Sequence, residues 1–143
     1  MRSGRFRAGR SSCGLPTRQA RKVIASASGD QIPGRPRGQA RLSVATLTEL
    51  ILGVNRARSQ PLLALRESTL ERARSFIALP FDEYVAERLG GLLAAARNKG
   101  RKAEAMDAII AATAIVHDLE VWTLDDDFQV LAELDPSLRL VAP

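Results

Sequence analysis

After residue 41 the apolar positions repeat with a helical period along most of the chain. The pattern predicts a helix over 47–54, a second over 61–78 that starts at Pro61, and a third that ends near Gly100. The apolar residues of the second and third helices share one face each: Leu62, Leu65, Leu70 and Ala73 in the second, and Val85, Leu89, Leu92, Leu93 and Ala96 in the third. Both are therefore predicted to be amphipathic helices that cover a core.

A fourth helix, predicted over 104–117, differs because apolar residues surround it on all sides, which indicates a central, buried helix. Short apolar segments at 42–46, 119–124 and 138–141 are typical of strands, and a short helix is predicted over 129–133. Helices that alternate with short strands predict a small parallel sheet flanked by helices, which is an α/β sandwich.

The first 41 residues show no such period. They contain ten Lys or Arg and one acid, a net charge of 10 − 1 = +9, whereas residues 42–143 contain eleven and fifteen, a net charge of 11 − 15 = −4. We therefore predict two parts: a basic, mostly disordered segment over 1–41 and one folded domain over 42–143. The basic segment could also act as an RNA-binding arm through its phosphate-neutralising charges, although Phe6 is its only aromatic residue.

Cysteine and apolar content exclude two classes of protein. The chain has one cysteine and one histidine, so neither an internal disulfide nor a Cys-based zinc site is expected. The longest apolar run, AIIAATAIV, has about half of the ~20 residues that a membrane helix needs. We expect a soluble, cytoplasmic protein with no membrane partner.

Acidic residues follow the predicted strands. Glu49 comes after the strand at 42–46, Asp107 lies at the start of the buried helix, and Asp125–Asp127 follow the strand at 119–124. Functional groups of a parallel sheet collect outside the carboxyl ends of its strands, so these carboxylates are expected at one edge. Carboxylates held close together repel one another unless a cation neutralises them, and Mg²⁺ or Mn²⁺ prefers such oxygen ligands. A metal ion so held would support phosphodiester hydrolysis.

Each acid also has a purely structural interpretation. Asp107 and Glu49 could simply favour the positive end of a helix dipole, and Asp125–Asp127 could form a solvated turn. Spacing alone leaves both interpretations open.

The segments SVATLTELILGV, MDAIIAATAIVHDLEVWTLDDDF and LRLV resemble the PIN-domain ribonucleases, in particular the VapC-like toxins of type II toxin–antitoxin modules. The resemblance covers 42–143. It implies a three-layer PIN-like sandwich, Mg²⁺-dependent cleavage of RNA by an acidic cluster, a homodimer and a cognate antitoxin as partner.

Carried over residue by residue, the resemblance places Glu49 and Asp107 at the family's catalytic, metal-binding acids. Asp125 is the preferred match for the fourth acid, with Asp127 kept as a second match. Thr123 resembles the polar residue that ends the strand, and His117 a family histidine that lies away from the acids and caps or packs the helix.

One departure from the family is serious. The family begins with a hydrophobic strand that carries an Asp, whereas this chain begins MRSGRFRAGRSSCG, and Asp30 is too close to Glu49 to replace that acid. Three interpretations follow: an active ribonuclease, a catalytically impaired remnant that still binds an antitoxin, or an RNA-binding protein that uses its basic arm. A GC-rich gene read in the wrong frame would also give a segment such as 1–41. Unless 21–27 supply a substitute strand, the sheet would lack its central strand, and we expect a marginally stable chain.

Overall fold

The computed structural model describes residues 23–26 and 40–141 of the chain. Its one sheet has five strands in the order β3-β2-β1-β4-β5. The strands are β1 (Val23–Ser26), β2 (Ala40–Ser43), β3 (Ile77–Leu79), β4 (Leu119–Trp122) and β5 (Arg139–Val141).

Strand β1 occupies the centre of the sheet and runs antiparallel to both β2 and β4. The outer pairs, β2 with β3 and β4 with β5, are parallel. Four of the five described strands therefore run in one direction, as predicted, and β1 runs against them. Within the segment 21–27, Val23–Ser26 supply a substitute strand, so part of the predicted basic segment belongs to the sheet. The rest of 1–39 lies outside the described residues.

Five helices are described: α1 (Val44–Asn55), α2 (Gln60–Arg74), α3 (Glu83–Asn98), α4 (Ala105–Val116) and α5 (Asp127–Leu134). Two of them begin at side-chain caps, because Ser43 Oγ accepts the N–H of Ala45 at 3.1 Å and Asp82 Oδ1 accepts the N–H of Val85 at 3.0 Å. Helix α3 ends before Gly100, whose φ of 61° lies in the left-handed region. The predicted stop at Gly100 is confirmed.

Helices cover both faces of the sheet. Neighbouring residues of a strand point to opposite faces. In β2, Leu42 belongs to an apolar cluster with α1 and α2, whereas the hydroxyl of Ser43 lies 3.4 Å from that of Thr113 on α4. This arrangement confirms the predicted three-layer α/β sandwich.

Helix α4 is the central helix, as its all-round apolar pattern predicted. A run of its residues is buried: Asp107, Ala108, Ile110, Ala111, Ala112, Thr113 and Ala114. The apolar residues among them pack with Val85, Val121 and Phe128, each fully buried, in the larger of the two apolar clusters. Asp107 is thus the charged residue of an otherwise apolar and hydroxyl-bearing buried surface.

Three sequence predictions were wrong in detail. Strand β3 was missed, and two of its residues, Ile77 and Ala78, were assigned to the second helix, because three residues are too few to show a period of two. The first helix begins at Val44 instead of 47, since Ser43 caps it there. Leu65, predicted on the buried face of the second helix, is 54% exposed.

Within the described residues, no helix has the length and apolar content that crossing a membrane requires.

Candidate metal centre

Three carboxylates meet at one edge of the sheet. Asp107 lies in the first turn of α4, Asp125 follows β4, and Asp127 is the first residue of α5. Each offers a ligand oxygen, and the three oxygens all lie within 4.8 Å of one another. Because β2 and β4 run in the same direction, this is the edge at which both strands end. The sequence prediction that acids gather at the carboxyl ends of the strands is confirmed for these three residues.

A short chain of hydrogen bonds shapes the turn that carries Asp125 and Asp127. Thr123 Oγ1 accepts the backbone N–H of Asp125 at 3.0 Å, and Asp125 Oδ1 accepts the N–H of Asp127 at 3.2 Å. The carbonyl of Asp125 accepts the N–H of Phe128 at 3.2 Å. Thr and Asp side chains favour such local bonds to the next N–H groups, which explains why this sequence turns here.

Apolar packing holds the turn with Asp125 and Asp127 in place at the end of the sheet. Phe128 is fully buried in the main apolar cluster, together with Leu131 one turn further along α5. Since Asp127 directly precedes this buried ring, its backbone has little freedom to move. Strand β4 holds the other side of the turn through the buried Val121.

The three acids differ in their access to solvent. Asp107 is 5% exposed and Asp125 is 9% exposed, whereas Asp127 is exposed. The cluster is therefore closed towards the core and open on the side of Asp127. Asp126, also in the predicted acidic loop, is exposed and is not part of the cluster.

Glu49 is placed differently from its prediction. It lies in the second turn of α1, not the first, and is half-buried. Helix α1 packs against α4, the helix that carries Asp107. Glu49 lies outside the group whose oxygens fall within 4.8 Å of one another, so its role as a fourth ligand stays a prediction.

Strand β1 brings no carboxylate to the site. Its sequence is VIAS, and its carboxyl end at Ser26 pairs with Leu119, at the start of β4. The acidic cluster lies beyond the other end of β4, next to Val23. An Asp at the carboxyl end of this strand would therefore lie at the wrong edge, because β1 is antiparallel to its neighbours.

Two other sequence candidates are now located. Thr123 lies at the end of β4 and orients Asp125 through the bond described above. His117 is the exposed C-cap residue of α4, at the end opposite Asp107. Its predicted position away from the acids agrees with this placement.

Sequence reasoning missed Lys102, because RNKGRK was interpreted as the frayed end of a helix. Lys102 Nζ lies 3.0 Å from Glu104 Oε1. This hydrogen bond and the charge of Glu104 raise the pKa of Lys102 above its ordinary 10.5, and the charge of Asp127 adds to the effect. The signal that could have found Lys102 is its position five residues before Asp107 in the sequence.

The donor set fits a hard divalent cation. Ligand oxygens on opposite sides of Mg²⁺, at about 2.0–2.1 Å each, lie roughly 4.2 Å apart. Oxygens that already lie within 4.8 Å of one another need only small side-chain rotations to reach that geometry. Three carboxylates without a nitrogen or sulfur donor favour Mg²⁺ or Mn²⁺ over zinc.

Fold and site together define an α/β protein with a cluster of three carboxylates at the carboxyl edge of its sheet. The model of the PIN domain matches residues 17–134, so the chain belongs to the PIN-domain family. The match begins before β1, which agrees with the participation of β1 in the sheet.

Two curated ribonucleases are similar to this chain. The chain is 35% identical to Ribonuclease VapC4 of Mycobacterium tuberculosis over 94 residues, which cover 66% of this chain and 72% of the relative. It is 37% identical to Ribonuclease VapC5 of the same organism over 89 residues, which cover 62% of this chain and 66% of the relative.

Solved structures agree. A crystal structure of VapBC-5 from M. tuberculosis, a member of the VapBC family of toxin–antitoxin systems, matches with a TM-score of 0.63 and 34% identity over 71% of this chain and 79% of that one. The structure of FitAcB from Neisseria gonorrhoeae matches with a TM-score of 0.58 and 30% identity over 70% of this chain and 72% of that one. The predicted resemblance to VapC-like PIN proteins is confirmed.

Proposed function

We propose that this chain is a metal-dependent ribonuclease and the toxin of a type II toxin–antitoxin pair. The observation that carries the proposal is the meeting of Asp107, Asp125 and Asp127 within 4.8 Å at the carboxyl edge of the sheet. Two of the relatives named above, VapC4 and VapC5 of Mycobacterium tuberculosis, carry the name ribonuclease.

Asp107, Asp125 and Asp127 would hold the Mg²⁺ or Mn²⁺ ion, and Glu49 is the proposed fourth acid, reached by rotation of its side chain on α1. When bound, such an ion would act as a Lewis acid towards the phosphoryl oxygen and would lower the pKa of a water ligand. The two buried carboxylates, Asp107 and Asp125, close the core side of the site. The exposed Asp127 leaves the opposite side open for a phosphodiester.

The proposed partners follow from the solved relatives. VapBC-5 is described as a member of a toxin–antitoxin family, so we propose a cognate antitoxin for this chain as well. A homodimer and a cytoplasmic location complete the proposal.

Asp107→Asn tests the nuclease function, because it removes one charge and keeps the shape of the side chain. We expect the purified wild-type chain to cleave RNA with Mg²⁺ or Mn²⁺ and not with EDTA, and Asp107→Asn to abolish cleavage. Asp126→Asn is the matched control: it removes the same charge one residue from the cluster, and its activity should stay close to wild type. Cleavage by Asp107→Asn with unchanged metal dependence would reject the site.

A second function is favoured by one observation, the lack of an acid in β1. A site with fewer carboxylates than the family pattern would bind metal more weakly, and the chain would then be an impaired enzyme that keeps its antitoxin-binding surfaces. Calorimetric titration with Mg²⁺ and Mn²⁺ separates the two functions. Binding that Asp107→Asn removes supports the nuclease, whereas no binding at millimolar concentrations supports the impaired enzyme.

A further inference from the structure

Four cations follow one another closely where α3 ends and the connection to α4 begins: Arg97, in the last turn of α3, and Lys99, Arg101 and Lys102 after that helix. These four residues are here called the cationic loop. Residues 42–143 contain eleven Lys and Arg in all, and the six positions 97–102 hold four of them, over a third. The rest of the described domain is acidic overall. Within the described domain, a polyanion would therefore meet its main attraction at this loop.

The cationic loop lies against both helices that carry the metal-binding acids. On one side Lys102 pairs with Glu104, the N-cap residue of α4, three residues before Asp107. On the other side Arg101 lies 3.2 Å from Glu133 of α5, and Lys99 donates to the carbonyl of Glu133 at 3.4 Å. The loop thus bridges α4 and α5 on the outside of the acidic cluster, with Lys102 at the end nearest the acids.

Helix dipoles explain some of these charges but not Lys102. Arg97 lies in the last turn of α3, where a cation is favourable. Lys102 lies two residues before the cap of α4, where the positive end of that helix disfavours a cation. The side chain of Lys102 is 89% exposed and that of Glu104 is 60% exposed, so the ion pair between them is weak. Another anion can therefore readily replace Glu104 as the partner of Lys102.

A groove beside the loop offers room for more than a phosphate. It has a volume of about 700 Å³, and Arg97, Asn98 and Arg101 line it together with the apolar Leu93 and Ala94. Cationic and apolar surface side by side suits the phosphate and the base of one nucleotide.

We propose that the cationic loop binds the backbone of single-stranded RNA next to the acidic cluster, with Lys102 contacting the phosphate nearest the cleaved bond. This inference rests on the proposed ribonuclease function, which it extends from the metal site to the substrate-binding surface. An RNA strand held here would cross the open side of the cluster at Asp127.

Salt dependence of RNA binding tests the proposal. The full chain in EDTA, which prevents metal-dependent cleavage, is titrated into a fluorescent single-stranded oligonucleotide at several NaCl concentrations. Lys102→Gln should reduce the slope of log K against log salt by about 0.7, the value for one lost phosphate contact on a single strand. Lys102→Arg should restore the slope. Arg58→Gln removes the same charge from an exposed position between α1 and α2 and should leave the slope close to wild type.

Four outcomes are informative. Equal slopes for Lys102→Gln, Arg58→Gln and wild type would overturn the inference, and so would equal reductions in both variants, since these would reflect net charge alone. If Lys102→Gln reduces the slope by the value for one phosphate contact but the wild-type chain does not cleave RNA with Mg²⁺, the RNA-binding surface is supported and the ribonuclease function is rejected. If the chain cleaves, Lys102→Gln should raise KM and leave kcat nearly unchanged, because Lys102 binds substrate outside the metal site.

Discussion

The Oδ1 atom of Asp125 accepts a hydrogen bond from the backbone N–H of Asp127 at 3.2 Å. One acid of the cluster therefore positions the next, so that Asp125 has a structural role as well as its proposed role in metal binding. The two roles require different properties of the side chain: the hydrogen bond needs an oxygen acceptor, and the metal needs a negative charge. Substitutions can separate them.

Asp125→Asn and Asp125→Ala make that separation. In EDTA we expect Asp125→Asn to melt at or above the wild-type temperature, because it keeps the acceptor and removes one charge from three crowded carboxylates. Asp125→Ala should be less stable than Asp125→Asn by about 1 kcal/mol, the typical value of the lost hydrogen bond. Thermal melts by circular dichroism measure both.

Magnesium should stabilise the wild-type chain and the control Asp126→Asn, but neither Asp125 variant. Identical melts of Asp125→Asn and Asp125→Ala in EDTA would contradict the structural role of Asp125. A full Mg²⁺-dependent shift in either variant would contradict its role in metal binding.

Ser43→Ala should destabilise the domain by about 1 kcal/mol, with a range of roughly 0.5–2 kcal/mol, through the loss of the cap of α1. Ser43 is fully buried, and its hydroxyl also contacts Thr113 of α4. Ser59→Ala is the matched control, because Ser59 has the N-cap position of α2 without a side-chain cap bond. Urea unfolding that gives equal losses for both variants would show that the Ser43 hydroxyl does not stabilise α1.

Asp118 adopts a left-handed backbone conformation, with φ of 53°. Its carboxylate lies 2.7 Å from Arg139 Nη1, in an exposed pair that contributes little to stability. Asp118→Gly should therefore be more stable than Asp118→Ala by about 1 kcal/mol, because both lose the ion pair but only glycine relieves the strained conformation. Urea unfolding compares the two, and equal stabilities would argue against strain at this position.

Central strand β1 gives a prediction for the whole chain. Deletion of residues 1–39 removes β1 and leaves the facing N–H and C=O groups of β2 and β4 unpaired, each at a cost of about 1–3 kcal/mol. We expect this truncated chain to aggregate or to melt without cooperativity. The control is deletion of residues 1–16, which precede the family match. The chain shortened in this way keeps β1.

The full chain and the control should both melt cooperatively. A cooperative melt of the chain without residues 1–39, at a temperature close to that of the full chain, would show that β1 does not hold the sheet together.

The sequence by itself determined where the main helices lie, that α4 is buried, and the family. Amphipathic periods located α2 and α3, and the all-round apolar pattern located α4, because these signals arise within ten to sixteen neighbouring residues. The segments around Glu49, around Asp107 and Asp125, and at 138–141 carried the resemblance to PIN domains, which the match over 17–134 confirms.

Only the tertiary structure decided how the sheet is completed and which acids meet. Strand β1 has four residues in a Gly-, Pro- and Arg-rich context, so the sequence offered 21–27 only as a possible strand, and the three residues of β3 were missed. Pairing with neighbouring strands defines both. The position of Glu49 outside the cluster, and that of Lys102 beside it, depend on how α1 and the cationic loop pack against α4 and α5. Distances between residues far apart in sequence are set by packing, which no local pattern encodes.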